Sequence, residues 1–161
     1  MEAPGRRTSS TTVLRRPLST LLLAALALIA VACGGSAGNG YRAHVDAAQR
    51  SHATELRAHE QRLATAIDGR RAAVAATEAT AASALVGAIA QRVGALHPPQ
   101  TLQARSDRLL NAYRELVQSL DQISAAFRAK QLAAANEAIG RYNTARLDES
   151  SAIAALNAGN D

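Results

Sequence analysis

Three side chains able to bind a metal ion recur on one flank of a predicted helix. Glu55 lies three residues after His52 and four before His59, a spacing that makes them neighbours on a helical surface. Imidazole and carboxylate groups are metal ligands, so the flank suggests a metal or small-ligand site completed from another helix. The histidines are about 10 Å apart along the axis, too far to share one ion directly. We favour half-buried or solvated polar positions, and expect no metal and no cofactor.

A second polar pair interrupts the apolar face of the last predicted helix. Arg146 and Glu149 are three residues apart, which places them for an ion pair along the helix. On a helix surface such a pair stabilises by only a few tenths of a kcal/mol. The alternative interpretation is a polar cavity inside the protein that the two residues line.

Motifs of familiar catalytic chemistry are absent from the sequence. It contains no glycine-rich phosphate loop, no paired cysteines, no His-Glu-x-x-His zinc motif, no Cys-x-x-Cys-His haem attachment and no Gly-x-Ser-x-Gly elbow. We therefore predict that the protein is not an enzyme, and we assign no catalytic residue.

The only cysteine, Cys33, follows an uncharged apolar stretch at residues 21–32, and four arginines precede that stretch. The order of basic, apolar and small residues is that of a secretory signal. Twelve residues span about 18 Å as a helix, short of the ~30 Å hydrocarbon core, so a cleaved signal is favoured over a permanent span. General secretion is the better fit, with the twin-arginine route left open by Arg15-Arg16.

The stretch Ala30-Val31-Ala32-Cys33-Gly34-Gly35 resembles the lipobox of bacterial lipoprotein precursors. The resemblance covers about the first forty residues. It implies cleavage just before Cys33 and a diacylglyceryl lipid on the cysteine, with acyl chains such as palmitate. The protein is then anchored outside a bacterial cell membrane, whether inner or outer. The implied domains are a signal peptide at 1–32, a lipidated cysteine with a flexible glycine-rich tether at 33–40, and a helical domain at 41–161.

The charge of the chain belongs mostly to the signal. Of 18 Lys+Arg and 13 Asp+Glu in the whole chain, residues 1–32 hold four and one, which leaves 14 against 12. The remaining basic residues are scattered among acids, without interleaved aromatic residues that would stack on bases. These observations predict no nucleic-acid binding and contact with the membrane through the lipid alone.

Apolar residues recur at helical spacing through the rest of the chain, and alanine and leucine dominate them. The pattern predicts helices over about 41–96, 99–128 and 131–157. His97-Pro98-Pro99 ends the first, because a residue before proline leaves the α region. The second has the 3-4 spacing of a coiled-coil or bundle seam.

Short connections between these helices predict an all-α, antiparallel up-and-down bundle of three or four helices. We favour a long first helix, with a bend near Gly69 left open; a full break there would give four comparable helices instead. A helix of 41–96 would leave half of its apolar stripe without a partner inside the chain. The expected role is therefore a structural or interaction protein, contacting an envelope partner or associating weakly with itself through residues 41–67. The chain otherwise has a general likeness to small alanine- and arginine-rich helical lipoproteins of unknown role.

Overall fold

Four α-helices follow one another along the chain. The computed structural model describes the backbone of residues 18–158 and the side chains of residues 37–158. The helices are α1 (Leu18–Asp68), α2 (Ala72–Gly94), α3 (Gln103–Arg128) and α4 (Leu132–Asn157), with a 3₁₀ turn at Gln100–Leu102. Two compact units divide the chain, Met1–Gly34 and Gly35–Asp161, and the second is the helical bundle. The predicted signal peptide and Cys33 lie outside the residues whose side chains are described.

Neighbouring helices run antiparallel. Along each helix–helix interface, residues with increasing sequence numbers on one helix bond to residues with decreasing sequence numbers on the other. The cross-helix pairs are His59–Glu78 and Ser51–Arg92 for α1 and α2, Thr80–Ser124 and Ser83–Asp121 for α2 and α3, Gln122–Arg141 for α3 and α4, and Glu60–Tyr142 and Arg42–Leu156 for α1 and α4. The first helix, α1, also packs against the last, α4, so each helix contacts two neighbours. The predicted all-α up-and-down bundle is confirmed, with four helices rather than three.

The prediction of one helix over 41–96 is wrong, because the chain reverses at residues 69–71. Arg70 adopts a left-handed conformation with φ of 52°. Its amide donates to the Ile67 carbonyl at 3.0 Å, and the Arg71 amide donates to the Ala66 carbonyl at 2.8 Å. This pair of bonds is a Schellman C-cap, which satisfies the last carbonyls of a helix. The apolar stripe continues in phase across the turn, so periodicity alone does not reveal it.

The turn between α3 and α4 repeats this geometry sixty residues later. Lys130 has φ of 58° and donates to Phe127, while Gln131 donates to Ala126. Each of these residues lies sixty positions after the equivalent residue of the first turn, as Lys130 does after Arg70. The bundle is therefore two equivalent helical hairpins, in which α1 corresponds to α3 and α2 to α4.

The stripe at 41–67 that we expected to be exposed lies in the core. Tyr41, Val45, Leu56 and Leu63 on α1 are all buried. The reversal at residues 69–71 brings α2 against α1, while α4 packs on its other side, so the stripe is covered within one chain. Its expected role in self-association loses its physical basis.

Part of the predicted tether is helical. Residues 37–40 belong to α1, and Gly38 is buried close to the 3₁₀ turn. A methyl group at Gly38 would lie 3.7 Å from Leu102 Cδ1, which is ordinary van der Waals contact. Contact with the bundle therefore keeps these residues helical, despite their composition.

Among the described residues, one helix, α2, is long and apolar enough to cross a membrane, and its mean hydropathy is 1.5. Ala75, Ala79, Val86, Ile89 and Val93 of this helix are buried in the bundle. Core helices of folded proteins and signal sequences meet the same criterion, so the length and hydropathy of one helix do not by themselves indicate a membrane span.

The left-handed positions generate a stability prediction. Replacing Arg70 by glycine removes the steric conflict of a Cβ at positive φ, and we expect a gain of about 1 kcal/mol in the free energy of unfolding. Chemical denaturation followed by circular dichroism measures it. Arg71→Gly is the matched control, because Arg71 has φ of −93° and should gain nothing. Equal effects of the two changes would contradict the strain assigned to Arg70.

Candidate functional site

The predicted flank of His52, Glu55 and His59 is not gathered around a common point. His59 Nδ1 lies 2.6 Å from Glu78 Oε2 on α2, so one histidine does meet a carboxylate from another helix. Glu55 is exposed, and the Nε2 atom of His52 is buried without a hydrogen-bond partner in the described part of the chain. Within residues 37–158, no three His, Cys, Asp or Glu side chains are grouped to hold a metal ion.

The third member of the His59 cluster is a cation. Arg62 Nε lies 3.0 Å from Glu78 Oε2, and Arg62 Nη2 lies 2.8 Å from His59 Nδ1. The hydrogen bond from His59 lowers the pKa of Glu78, and Arg62 lowers it further against the opposing effect of burial. Glu78 is thus ionised, and His59 Nδ1–H donates to it. The guanidinium occupies the place where a metal would need a further ligand.

A different polar cluster, on the interface of α1 and α4, is more deeply placed. We call Glu60, Tyr142, Arg146 and Glu149 the polar layer. Arg146 Nη1 donates to Glu149 Oε2 at 2.5 Å, and Arg146 Nη2 lies 3.5 Å from Glu60 Oε1. The Tyr142 hydroxyl donates to the same Glu60 oxygen. The ion pair between Arg146 and Glu149 that the sequence suggested is formed along α4, and the contact of Arg146 with Glu60 joins α4 to α1.

Burial dominates the electrostatics of the polar layer. Glu149 is 9% exposed, and burial raises the pKa of its carboxyl, while the adjacent Arg146 opposes the rise. Burial alone would lower the pKa of Arg146, but the two carboxylates raise it overall. Burial and the hydrogen bond to Glu60 both raise the pKa of Tyr142. All three groups consequently hold their protons more firmly than they would in water.

Two hydrogen bonds across the bundle join α1 to α3. The Gln49 amide donates to the Tyr113 hydroxyl at 2.7 Å, and the Tyr41 hydroxyl shares a 2.5 Å bond with Ser106. Burial raises the pKa of Tyr113, which the hydrogen bond from Gln49 opposes. Both phenol groups are hydrogen-bonded, as buried tyrosines usually are.

An open cleft of ≈ 380 Å³ lies over the polar layer, between α1 and α4. Its apolar residues include Leu56 from α1, Ile89 from α2 and Ile153 from α4. Glu60, Arg146 and Glu149 supply charged groups to the same cleft. The volume is within the range of small-molecule sites, which combine an apolar lining with a few polar groups. The arrangement is suited to holding a small polar molecule.

Two members of the polar layer have a signal in the sequence and the other two do not. Arg146 and Glu149 interrupt an apolar face, whereas Glu60 lies more than eighty residues before Tyr142 and has no local signal that connects them. Comparison with protein-family models, curated proteins and solved structures finds no match.

The Glu78 cluster generates a pH prediction. The pKa of Glu78 is lower in the folded chain than its ordinary value of 4.5, so the unfolded chain binds more protons as the pH falls through this range. The stabilisation by Glu78 is therefore present above about pH 5 and is lost in acid. We expect Glu78→Gln to lower the free energy of unfolding at pH 7 by about 1 kcal/mol and to flatten its decline below pH 5.

Denaturant titrations from pH 3 to pH 7 measure both effects. Glu137→Gln is the matched control, since Glu137 forms an exposed ion pair with Arg141. An unchanged slope in the Glu78 variant would show that the cluster does not contribute to acid sensitivity.

Proposed function

We propose that this chain is a lipid-anchored protein of the bacterial cell envelope that acts through protein contacts rather than catalysis. The anchor is Cys33, made the first residue of the mature chain by signal cleavage. The basic, apolar and small segments before it support this assignment. The compact unit Gly35–Asp161 begins two residues after the cysteine.

The anchor leaves little free chain before the bundle. Only residues 34–36 separate Cys33 from the part of α1 whose side chains pack in the second unit, and even fully extended three residues span about 11 Å. A lipid on Cys33 would therefore hold the bundle close to the membrane, and not on a long flexible tether.

Lipid attachment predicts a defined mass for the mature protein. We expect intact-mass measurement of the membrane-extracted protein to give a chain beginning at Cys33 with a diacylglyceryl addition. Cys33→Ser should abolish the addition and release the protein from the membrane fraction, while a serine-to-alanine change at Ser36 should leave both unchanged. A mature chain that starts elsewhere and carries a free thiol would refute the anchor.

The observation that carries the interaction role is an uncharged stripe on the outward face of α4. Its exposed residues follow one another at steps of four, four, three, four, four and three, and they are Leu132, Asn136, Gly140, Asn143, Leu147, Ser151 and Ala154. Leu132 is 67% and Leu147 72% exposed. This spacing places the seven residues on one face of the helix. The stripe takes over the role that we expected from residues 41–67.

We propose that the partner at this stripe is a second copy of the chain. Tethering two bundles to one membrane raises their effective concentration, so a weak contact suffices. The contact would be weak because leucine occupies only two of the seven positions, and exposed leucines bury limited area.

Self-association at α4 can be tested with a single charge. We expect sedimentation of the full chain to show concentration-dependent dimers, and Leu147→Glu to weaken the dimer at least tenfold, because it would bury a carboxylate in the contact. Ala47→Glu adds the same charge to an exposed position of α1 and should dimerise as the unmodified chain does. A protein that stays monomeric at all concentrations would refute the proposed self-association.

The alternative role, a metal or small-ligand protein using His52, Glu55 and His59, has less support. His59 and Arg62 both donate to Glu78, and Glu55 is exposed without joining them.

A further inference from the structure

The cleft between α1 and α4 contains both donors and acceptors that the bundle does not use. Arg57 of α1 and Ser150 of α4 are exposed in its lining, and among the described residues their side chains form no hydrogen bond or ion pair. In the same part of the chain, Oε2 of Glu60 and Oε1 of Glu149 accept no hydrogen bond, although the other oxygen of each carboxylate does. A molecule in the cleft can therefore bond to groups of both kinds.

The two open carboxylate oxygens are accessible from outside. Among residues 37–158, the buried side-chain polar atom that lacks a hydrogen-bond partner is His52 Nε2, so neither open oxygen of Glu60 or Glu149 is sealed inside the bundle. Both residues line the cleft. A molecule held there can contact them without a rearrangement of the polar layer.

The charges of the lining balance, but they are not all paired. Arg57 and Arg146 stand against Glu60 and Glu149, two positive charges against two negative. Arg146 contacts both carboxylates, whereas Arg57 lies one helical turn before Glu60 and forms no ion pair with it in the described structure. A ligand with a net charge would upset this balance. A zwitterion preserves it and forms hydrogen bonds with charged groups at both of its ends, which are stronger than neutral ones.

Packing does not require these polar residues, as the equivalent places in the bundle show. The counterparts sixty residues away from Arg57, Glu60, Arg146, Glu149 and Ser150 are Val117, Leu120, Val86, Ile89 and Ala90, respectively. All five counterparts are apolar. Replacing a buried ion pair by apolar residues is often neutral or stabilising, so the fold does not explain the charges. A cleft on α2 and α3 includes Val117 and Ala90, so both interfaces carry a cleft, and the one on α2 and α3 is apolar at these two positions.

We propose that the cleft between α1 and α4 binds a free α-amino acid with an apolar side chain, in its zwitterionic form. The ammonium group of the ligand donates to the open oxygens of Glu60 and Glu149, and its carboxylate accepts from the guanidinium of Arg57. The Ser150 hydroxyl is a further donor to that carboxylate. The side chain of the ligand lies on the apolar part of the lining, which includes Leu56 and Ile153.

The probe for this site is L-leucine, with two molecules that each lack one of its charges. They are 4-methylpentanoate, which has no ammonium group, and 3-methylbutylamine, which has no carboxylate. We expect titration of the full chain, followed by amide chemical shifts in NMR spectra, to show saturable leucine binding with a Kd on the order of 1 mM. The shifts should centre on residues 57, 60, 149 and 150. The acid and the amine should each bind at least tenfold more weakly than leucine.

Variants assign each charge of the ligand to a residue. Arg57→Gln should weaken leucine binding at least tenfold and leave the weaker binding of 3-methylbutylamine unchanged, because the amine has no carboxylate to lose. Glu60→Gln should weaken leucine and the amine alike. The controls are Arg141→Gln and Glu137→Gln, which remove the same charges from an exposed ion pair elsewhere on α4 and should bind leucine as the unmodified chain does.

Three results would each overturn the proposal. The first is binding of the amine or the acid as tightly as leucine, which would mean that only one charge is recognised. The second is an equal loss of leucine binding in the Arg57 and Arg141 variants, which would indicate general electrostatic attraction. The third is the absence of saturation up to about 100 mM leucine.

Discussion

The bundle depends on the reversal of the chain at residues 69–71. The apolar stripe of α1 has no partner in a continuous helix of residues 41–96, and the Schellman turn brings α2 back over it. The left-handed residue of that turn is Arg70 and not the neighbouring Gly69, so the turn retains some backbone strain. Packing over the length of two helices offsets this strain. The same turn at Lys130 pairs α3 with α4, and two closed hairpins then share one core.

An alanine-rich core sets the distances inside this bundle. Ala75, Ala79 and Ala82 of α2 are fully buried, and small side chains allow neighbouring backbones to approach closely. The Ser124 hydroxyl reaches the Ala76 carbonyl at 3.0 Å, a side-chain bond across the interface of α2 and α3. The larger core residues come from α3, where Leu109, Leu116 and Leu120 are fully buried. Apolar volume concentrated on α3 therefore compensates for the small residues of α2.

The sequence predicts the elements that depend on local signals. The 3-4 spacing of α3 and the stop at His97-Pro98-Pro99 lead to helix boundaries within a few residues of those observed. The break near Gly69 was left open and not favoured, because the stripe keeps its phase and a Schellman turn needs only one unusual residue. Glu60 and Glu78 became apparent only in the fold, since their partners lie on other helices. A pair of polar residues that are far apart in the sequence produces no periodic pattern in it.

The difference between the two equivalent hairpins identifies the interface where the bundle opens most easily. Leu120, Val86 and Ile89 of α2 and α3 are buried apolar residues, whereas the corresponding positions of α1 and α4 hold Glu60, Arg146 and Glu149. Burying charges requires desolvation that the ion pairs only partly offset, so the α1–α4 contact is the less stable of the two.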